Sequence, residues 1–390
     1  MRTVTVIIPL WNGEKWIRSC LAALAGQCTN APFALEAVVV DNGSQDTSPA
    51  IVTNEFPAAR LIRNGRNLGF AGGCNVGLAA ATGDVLVLLN QDTLVQPGWL
   101  AGLMTALQEP GVGVAGSLAL LADGATIQHA GGLVEWPLGV ARHRGYGEAL
   151  GDRWRQPGDA AFVTGASLAL RRDVLDRVGP LDEGFWPGYY EDVDFCWRVR
   201  EAGYSVCYAP DSTLIHAESG SFTDSAYTAW ARLRGRLRFC LKHLSAQRFV
   251  DEFLPAETDY QPVVLAGDRH GQIARAYLEA IPMAFHLWRA RGEDAERIAQ
   301  AIAGLSQLCP PLEAGLGPPA DIPRPGEPLL TPSPLDRLPV LGEARRALHQ
   351  LVIFYSERRQ QELLSLIQTD REYIRRLETE IALRQKKLSE

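Results

Sequence analysis

The chain of 390 residues has no apolar run near the length of a membrane span. Its clean apolar runs are short, such as Val85-Leu86-Val87-Leu88-Leu89, where a spanning helix needs about 20 such residues. The opening MRTVTVIIPLWNG meets Pro9, Asn12 and Gly13 too early for the apolar core of a secretory leader, so none is expected. There is no excess of basic charge. Lys and Arg number 38 against 45 Asp and Glu, a net charge of −7. General nucleic-acid binding rests on phosphate neutralisation, so no nucleic-acid partner is expected. The seven cysteines are odd in number, scattered, and contain no Cys-x-x-Cys. That argues against a disulfide framework or a zinc site and for a reduced, cytoplasmic setting. Hydrophobic residues at 46% and charged residues at 21% exclude a disordered or fibrous chain. At roughly 150 residues per domain the length suggests two or three domains.

What is present begins with alternation. Apolar, β-branched runs at Val4–Pro9, Leu35–Val40, Arg60–Arg63 and Asp84–Asn90 read as strands. Helix-like spacing at Glu14–Leu24, Thr47–Glu55 (capped by Asp46) and Gly73–Ala81 separates them. Near-continuous apolar strands alternating with helices predict a parallel sheet covered on both faces. Ligands bind such sheets at the carboxyl ends of the strands, so Asp41 and Asp92 are expected at one crevice. From 110 to 245 the pattern is mixed, with a strand at Ala166–Leu170 and a helix at Asp192–Ala202. Residues 272–308 read as helical, with a break at Pro282.

Each chemically suggestive stretch has a plain alternative. Asp41-Asn42-Gly43-Ser44 could accept hydrogen bonds from a base or ribose, or could be an Asx turn. The glycine-dense stretch Asn67–Gly77 opens a helix and could cradle a phosphate, but it lacks the dinucleotide-binding pattern. Asp92, after the fourth strand, suits a hard divalent cation or a surface turn. Glu191-Asp192-Val193-Asp194 sits among Trp186, Tyr189, Tyr190 and Trp197. There the carboxylates either complement a helix N-terminus or include one whose pKa rises toward a general base's range. The aromatic residues either stack on acceptor sugars or pack a core. Arg171-Arg172 either meets a diphosphate or lines a helix start, and His216 is either a ligand or structural.

Order and spacing together resemble family 2 glycosyltransferases of the GT-A fold, most closely the rhamnosyltransferase-like branch. The matching blocks are VTVIIPLWNGEKWIRSCLAAL at 4–24, VVVDNGSQDTS at 38–48, NLGFAGGCNVGLAAATGDVLVLLNQDT at 67–93, the stretch 163–204, and His216. The resemblance implies an α/β, Rossmann-like, mainly parallel sheet with helices on both faces, over residues 1–245. It implies an inverting transfer of a sugar, rhamnose in this branch, from a nucleotide-diphosphate donor. The acceptor would be a saccharide or lipid-linked saccharide of bacterial surface polysaccharide synthesis. By resemblance Asp192 is the catalytic base. Asp92 and His216 hold Mg²⁺ or Mn²⁺, and Asp41 meets the base of the nucleotide. Pro9, Asn12, Asn67, Gly69, Gly73, Asn75 and Gln91 complete the nucleotide site, and Trp186, Tyr190 and Glu191 meet the acceptor. The first Asp of the family's Asp-x-Asp is Asn90 here. Two other classes remain: a non-catalytic nucleotide-sugar-binding scaffold, and a nucleotidyltransferase. The latter reads a basic, Gly-rich loop after the first strand, where this chain has Leu10-Trp11-Asn12-Gly13.

Past 245 nothing carries over. Residues 246–308 are expected to be a helical extension and 309–340 a Pro-rich linker. Residues 341–390 are expected to form one long helix. Ile367, Ile374, Ile381 and Leu388 recur every seven residues, a coiled-coil seam. The second row is Leu363, Asp370, Leu377 and Arg384, half of it charged. Self-pairing into a homo-oligomer, pairing with another protein, a basic helix on the inner membrane face, and folding back on 272–308 compete. Self-pairing predicts that light scattering finds an oligomer in the full chain and a monomer after truncation at Pro339. Two monomers would reject it.

Overall fold

A computed structural model describes residues 2–28, 33–217, 225–266, 268, 271 and 273–309. The expected linker beyond Cys309 and the long helix at 341–390 lie outside the described residues. The chain divides into two compact units, Met1–Trp136 with Val140–Asp224, and Pro137–Gly139 with the residues from Ser225 onward.

The first unit begins β1 (Arg2–Leu10), α1 (Ile17–Ala25), β2 (Phe33–Asp41), α2 (Ser48–Glu55), β3 (Arg60–Arg63), α3 (Gly69–Ala80) and β4 (Val85–Leu89). It continues with β5 (Thr93–Val95), α4 (Trp99–Ala106), β6 (Val112–Leu120), β7 (Ile127–His129), β8 (Gly132–Glu135) and β9 (Val140–His143). It closes with β10 (Gly158–Asp159), β11 (Ser167–Arg171), α5 (Arg172–Val178), α6 (Glu191–Glu201) and β12 (Ser205–His216). Ten strands form one sheet in the order β10-β12-β6-β11-β4-β1-β2-β3, with β5 added to β12 and β7 to β6. This is the expected α/β architecture, with a helical region after it. Strands β3, β2, β1 and β4 are parallel, as their continuous apolar runs require. Every residue of β4 is buried. Strand β11 enters antiparallel between β4 and β6. Leu10 pairs with Asp41 and Asp41 with Arg63, so these carboxyl ends share one edge.

Three expectations are corrected here. Helix α3 starts at Gly69, four residues before the expected start, so the glycine-dense stretch is largely helix. A Cβ on Gly77 would lie 2.2 Å from the Ile7 side chain, which shows why glycine is tolerated there: the helix packs directly on β1. Arg171 pairs with Val85, at the amino end of β4, one strand length from Asn90. Arg171 binds Asp173 and the carbonyl of Val112, and Arg172 binds the carbonyls of Ala81 and Gly83. Neither arginine stands at the crevice. Pro282 does not end its helix, as described next.

The second unit is helical: α7 (Ser225–His243), α8 (Ala246–Arg248), α9 (Leu254–Val264), α10 (Arg275–Ala290) and α11 (Ala295–Gln307). The sequence expectation put α7 in the first domain, whereas it groups here, where it packs on α10. Pro282 lies inside α10. That helix buries Tyr277, Leu278, Ile281, Ala284, Phe285 and Trp288, and this packing outweighs the roughly 3 kcal/mol a helical proline costs. The break comes instead at Gly292, where φ is +72°. Within the unit Arg236 is forked onto Glu257 at 2.7 and 2.5 Å, both side chains being buried, and Tyr277 donates to the same carboxylate at 2.5 Å. No described helix is long and apolar enough to cross a membrane.

Candidate active site

The segments at the carboxyl edge of the sheet are tied together by side-chain amides. Asn42 follows β2 and is 4% exposed. Its Nδ2 donates to Asn67 Oδ1 and the Gly69 carbonyl, and its Oδ1 accepts from Asn64 Nδ2 and the Leu68 N–H. Sequence reading saw only a turn at this position. Its signal was the Asn before Gly43, whose φ of +81° the turn requires. Asp41 Oδ1 accepts from the Ser44 N–H at 2.9 Å, so the Asx turn forms at the mouth of the crevice. Asn12 Oδ1 accepts from the Gln45 N–H, while its own N–H binds Ser44. Gln91 clamps both main-chain groups of Trp11 at 2.8 and 3.0 Å.

The remaining expected nucleotide residues are drawn into packing. A Cβ on Gly69 would stand 2.7 Å from Trp186, and one on Gly73 would meet Asn42 and Pro9 at 3.2 and 3.4 Å. The glycines thus let α3 approach protein. Asn67 Oδ1 caps the Gly69 N–H at 2.8 Å. Asn75 is committed on both its amide groups, binding both main-chain groups of Leu181 and the Glu183 carboxylate.

After β4 the structure brings the expected cation pair together. His216, at the end of β12, reaches Asp92 with Nε2 3.1 Å from Oδ1. The same nitrogen is 3.3 Å from Asn90 Nδ2, and His216 Nδ1 is 2.8 Å from Gln128 Oε1. Asn90 Oδ1 is buried and without a hydrogen-bond partner. Among the described residues no group of three or more His, Cys, Asp and Glu side chains forms a metal cluster.

The acidic run resolves into three separate roles. Asp194 is fully buried and ion-paired to Arg198 at 2.9 Å. Glu191 is 5% exposed, with Oε2 unpartnered. Burial, then the neighbouring Asp192, push its carboxyl well above the ordinary range. Glu191 is thus as buried as Asp41 and Asp92. Asp192 is only partly buried, and Oδ2 accepts the Gly165 N–H at 2.9 Å. Burial raises its pKa, against the Gly165 and Val193 N–H groups that lower it. The residue after Gly165 reaches the end of β4: the Ala166 carbonyl accepts the Asn90 N–H at 3.1 Å. Tyr189 and Tyr190 enter α6 with φ of +72° and +74°, and the Tyr190 hydroxyl accepts the Ala141 N–H of β9. Trp186 and Tyr190 are partly exposed beside this helix.

Residues 5–179 match the family described as glycosyl transferase family 2. The chain carries a glycosyl transferase family 2 domain. It is similar to the pre-mycofactocin glycosyltransferase of Mycobacterium tuberculosis, at 30% identity over 224 residues, covering 55% of this chain and 43% of that protein. It is also similar to the N-acetylglucosaminyl-diphospho-decaprenol L-rhamnosyltransferase of that organism, at 27% identity, covering 55% of this chain and 76% of that one. The chain spans 25% and 43% of the length of two of the curated relatives it matches. A crystal structure of residues 1–349 of S. aureus TarS in complex with UDP-GlcNAc overlays with a TM-score of 0.47 at 16% identity, over 78% of this chain and 90% of that one. The family match begins in β1 and ends after α5, so α6, with Asp192, lies beyond it.

Proposed function

We propose that this family 2 domain transfers a sugar from a nucleoside-diphosphate donor to an acceptor hydroxyl with inversion, and that the sugar is rhamnose. The observation that carries the reading is the Gly165–Ala166 turn. One of its residues holds the carboxyl of Asp192, and the next holds the strand end that presents Asp92. Asp192 takes the proton of the acceptor hydroxyl as that oxygen attacks the anomeric carbon. The donor's diphosphate leaves from the opposite face. A single displacement needs no enzyme nucleophile, and the buried thiols are poor ones, Cys20 being pushed up to about 12 by burial.

The residues at the strand end fit a divalent cation, Mg²⁺ or Mn²⁺. A carboxylate oxygen of Asp92 and an imidazole nitrogen of His216 meet there, and Asn90, whose Nδ2 faces the same nitrogen, carries an unpartnered amide oxygen. When bound, such a cation supplies electrostatic stabilisation of the departing diphosphate. Asp41 and Asn12, at the mouth, are placed for the nucleoside, and Trp186 and Tyr190 for the acceptor.

Rhamnose and a lipid-linked saccharide acceptor are supported by the resemblance and by the name of the rhamnosyltransferase relative. Such an acceptor would bring the protein to the inner membrane face; self-pairing through residues 341–390 is a separate expectation, tested by the truncation at Pro339. Incubating the purified chain with deoxythymidine-diphosphate rhamnose and a lipid-linked acceptor tests the reading. It expects nucleoside diphosphate and an inverted glycoside; pyrophosphate release, or no release with any nucleotide sugar, would reject it. Asp92→Ala is expected to weaken nucleoside-diphosphate binding in Mn²⁺ far more than in chelator. Equal affinities with and without metal, in both proteins, would remove the cation.

A further inference from the structure

Gln128 belongs to no motif and comes from β7, a strand of three residues. Ile127 pairs with Leu120 of β6 and His129 with Ala119, so Gln128 is the extra residue of a bulge. Bulges re-aim side chains, and they concentrate beside active sites. Here the side chain is 5% exposed and reaches across 88 positions of sequence to His216 Nδ1, at 2.8 Å. An amide oxygen can only accept, so the proton of that contact belongs to Nδ1. The opposite ring nitrogen, Nε2, faces the Asn90 Nδ2 donor at 3.3 Å and Asp92 Oδ1 at 3.1 Å. The Asn90 donor fits a lone pair on Nε2, whereas the Asp92 oxygen fits a proton there, so the Gln128 contact at Nδ1 is what favours the tautomer with Nε2 unprotonated.

We propose that Gln128 is a positioning residue: it fixes the Nδ1–H tautomer and the ring plane of His216, so that the Nε2 lone pair points to the Asp92 carboxylate. This rests on the cation reading above. Partners that hold the far nitrogen of an imidazole ligand in this way typically affect metal affinity by about 10–100-fold.

The test uses the full chain, with Mn²⁺ alone and with Mn²⁺ plus thymidine diphosphate, read by electron paramagnetic resonance. Histidine-selective ¹⁵N NMR of the metal-free protein reports the tautomer of His216, assigned by His216→Gln. Gln128→Met removes the acceptor at similar volume, and Gln128→Glu keeps an acceptor oxygen. Gln128→Met is expected to weaken Mn²⁺ binding about 10-fold or more and to abolish the Nδ1–H pattern. Gln128→Glu is expected to retain both. Wild-type Mn²⁺ affinity and an unchanged tautomer in Gln128→Met would overturn the proposal. An Nε2–H tautomer in the wild-type protein would overturn it even if that variant fails to fold. If the wild type binds no Mn²⁺, the cation reading fails while the NMR arm still judges Gln128.

Discussion

Asp192→Asn is expected to bind nucleotide sugar normally and to lose transfer by about 10²-fold or more, the range for a missing general base. The substitution keeps an acceptor for the Gly165 N–H, so the local fold should survive. Glu191 and Asp194 are the next candidates, and they are held differently. Asp194 is fully buried and ion-paired with Arg198, and Glu191 is enclosed, with its pKa driven well up. The pH profile supplies a second measurement. A base works deprotonated, and burial raises the pKa of Asp192. Activity should therefore fall on the acid side at a pH above the ordinary aspartate value of about 3.9, and the variant's residual rate should lack that limb. Near-normal turnover of Asp192→Asn would take this residue out of the mechanism.

Glu257→Leu is expected to lower the stability of the helical unit by about 3–5 kcal/mol, because it leaves a buried guanidinium without its carboxylate. Arg236 makes two contacts to Glu257, and Tyr277 donates to the same group. Amide exchange in the peptides of α7 and α10 reads this directly, as faster local opening. Replacing both partners by apolar residues, Arg236→Met with Glu257→Leu, should recover much of the loss, since the penalty comes from the orphaned charge. Unchanged exchange in the single variant would show that the pair contributes little.

The parts of the fold that were legible in the sequence are those where side-chain chemistry and burial agree. β4 reads as a covered strand because all five residues are apolar and all are buried. β6 is equally buried but did not read clearly, because Gly113 and Gly116 interrupt it. The reason is local: a Cβ on Gly116 would stand 2.2 Å from Val163. α3 shows the converse, since glycines that suggest a loop serve a helix pressed onto Ile7 and Trp186. At the site, Asp92, Asp192 and His216 are expected from the family blocks. Gln128 and Asn42 are not, because the partners that define them lie 88 and 22–27 positions away in the chain.

The Gly165–Ala166 turn also bears on how such a protein could be altered. Asp192 and the strand end before Asp92 are hydrogen-bonded to adjacent peptide units, so on the proposed reading one short stretch of backbone helps to set the spacing of proton acceptor and diphosphate site. The residues proposed for the nucleoside lie just after β1 and at the end of β2, and Trp186 and Tyr190, proposed for the acceptor, precede α6. Those segments can be exchanged between homologues as cassettes, to redirect what is carried or where it is delivered. A graft that kept the short run from Thr164 to Ala166 would inherit the spacing of the chemical step, whatever pockets were built around it.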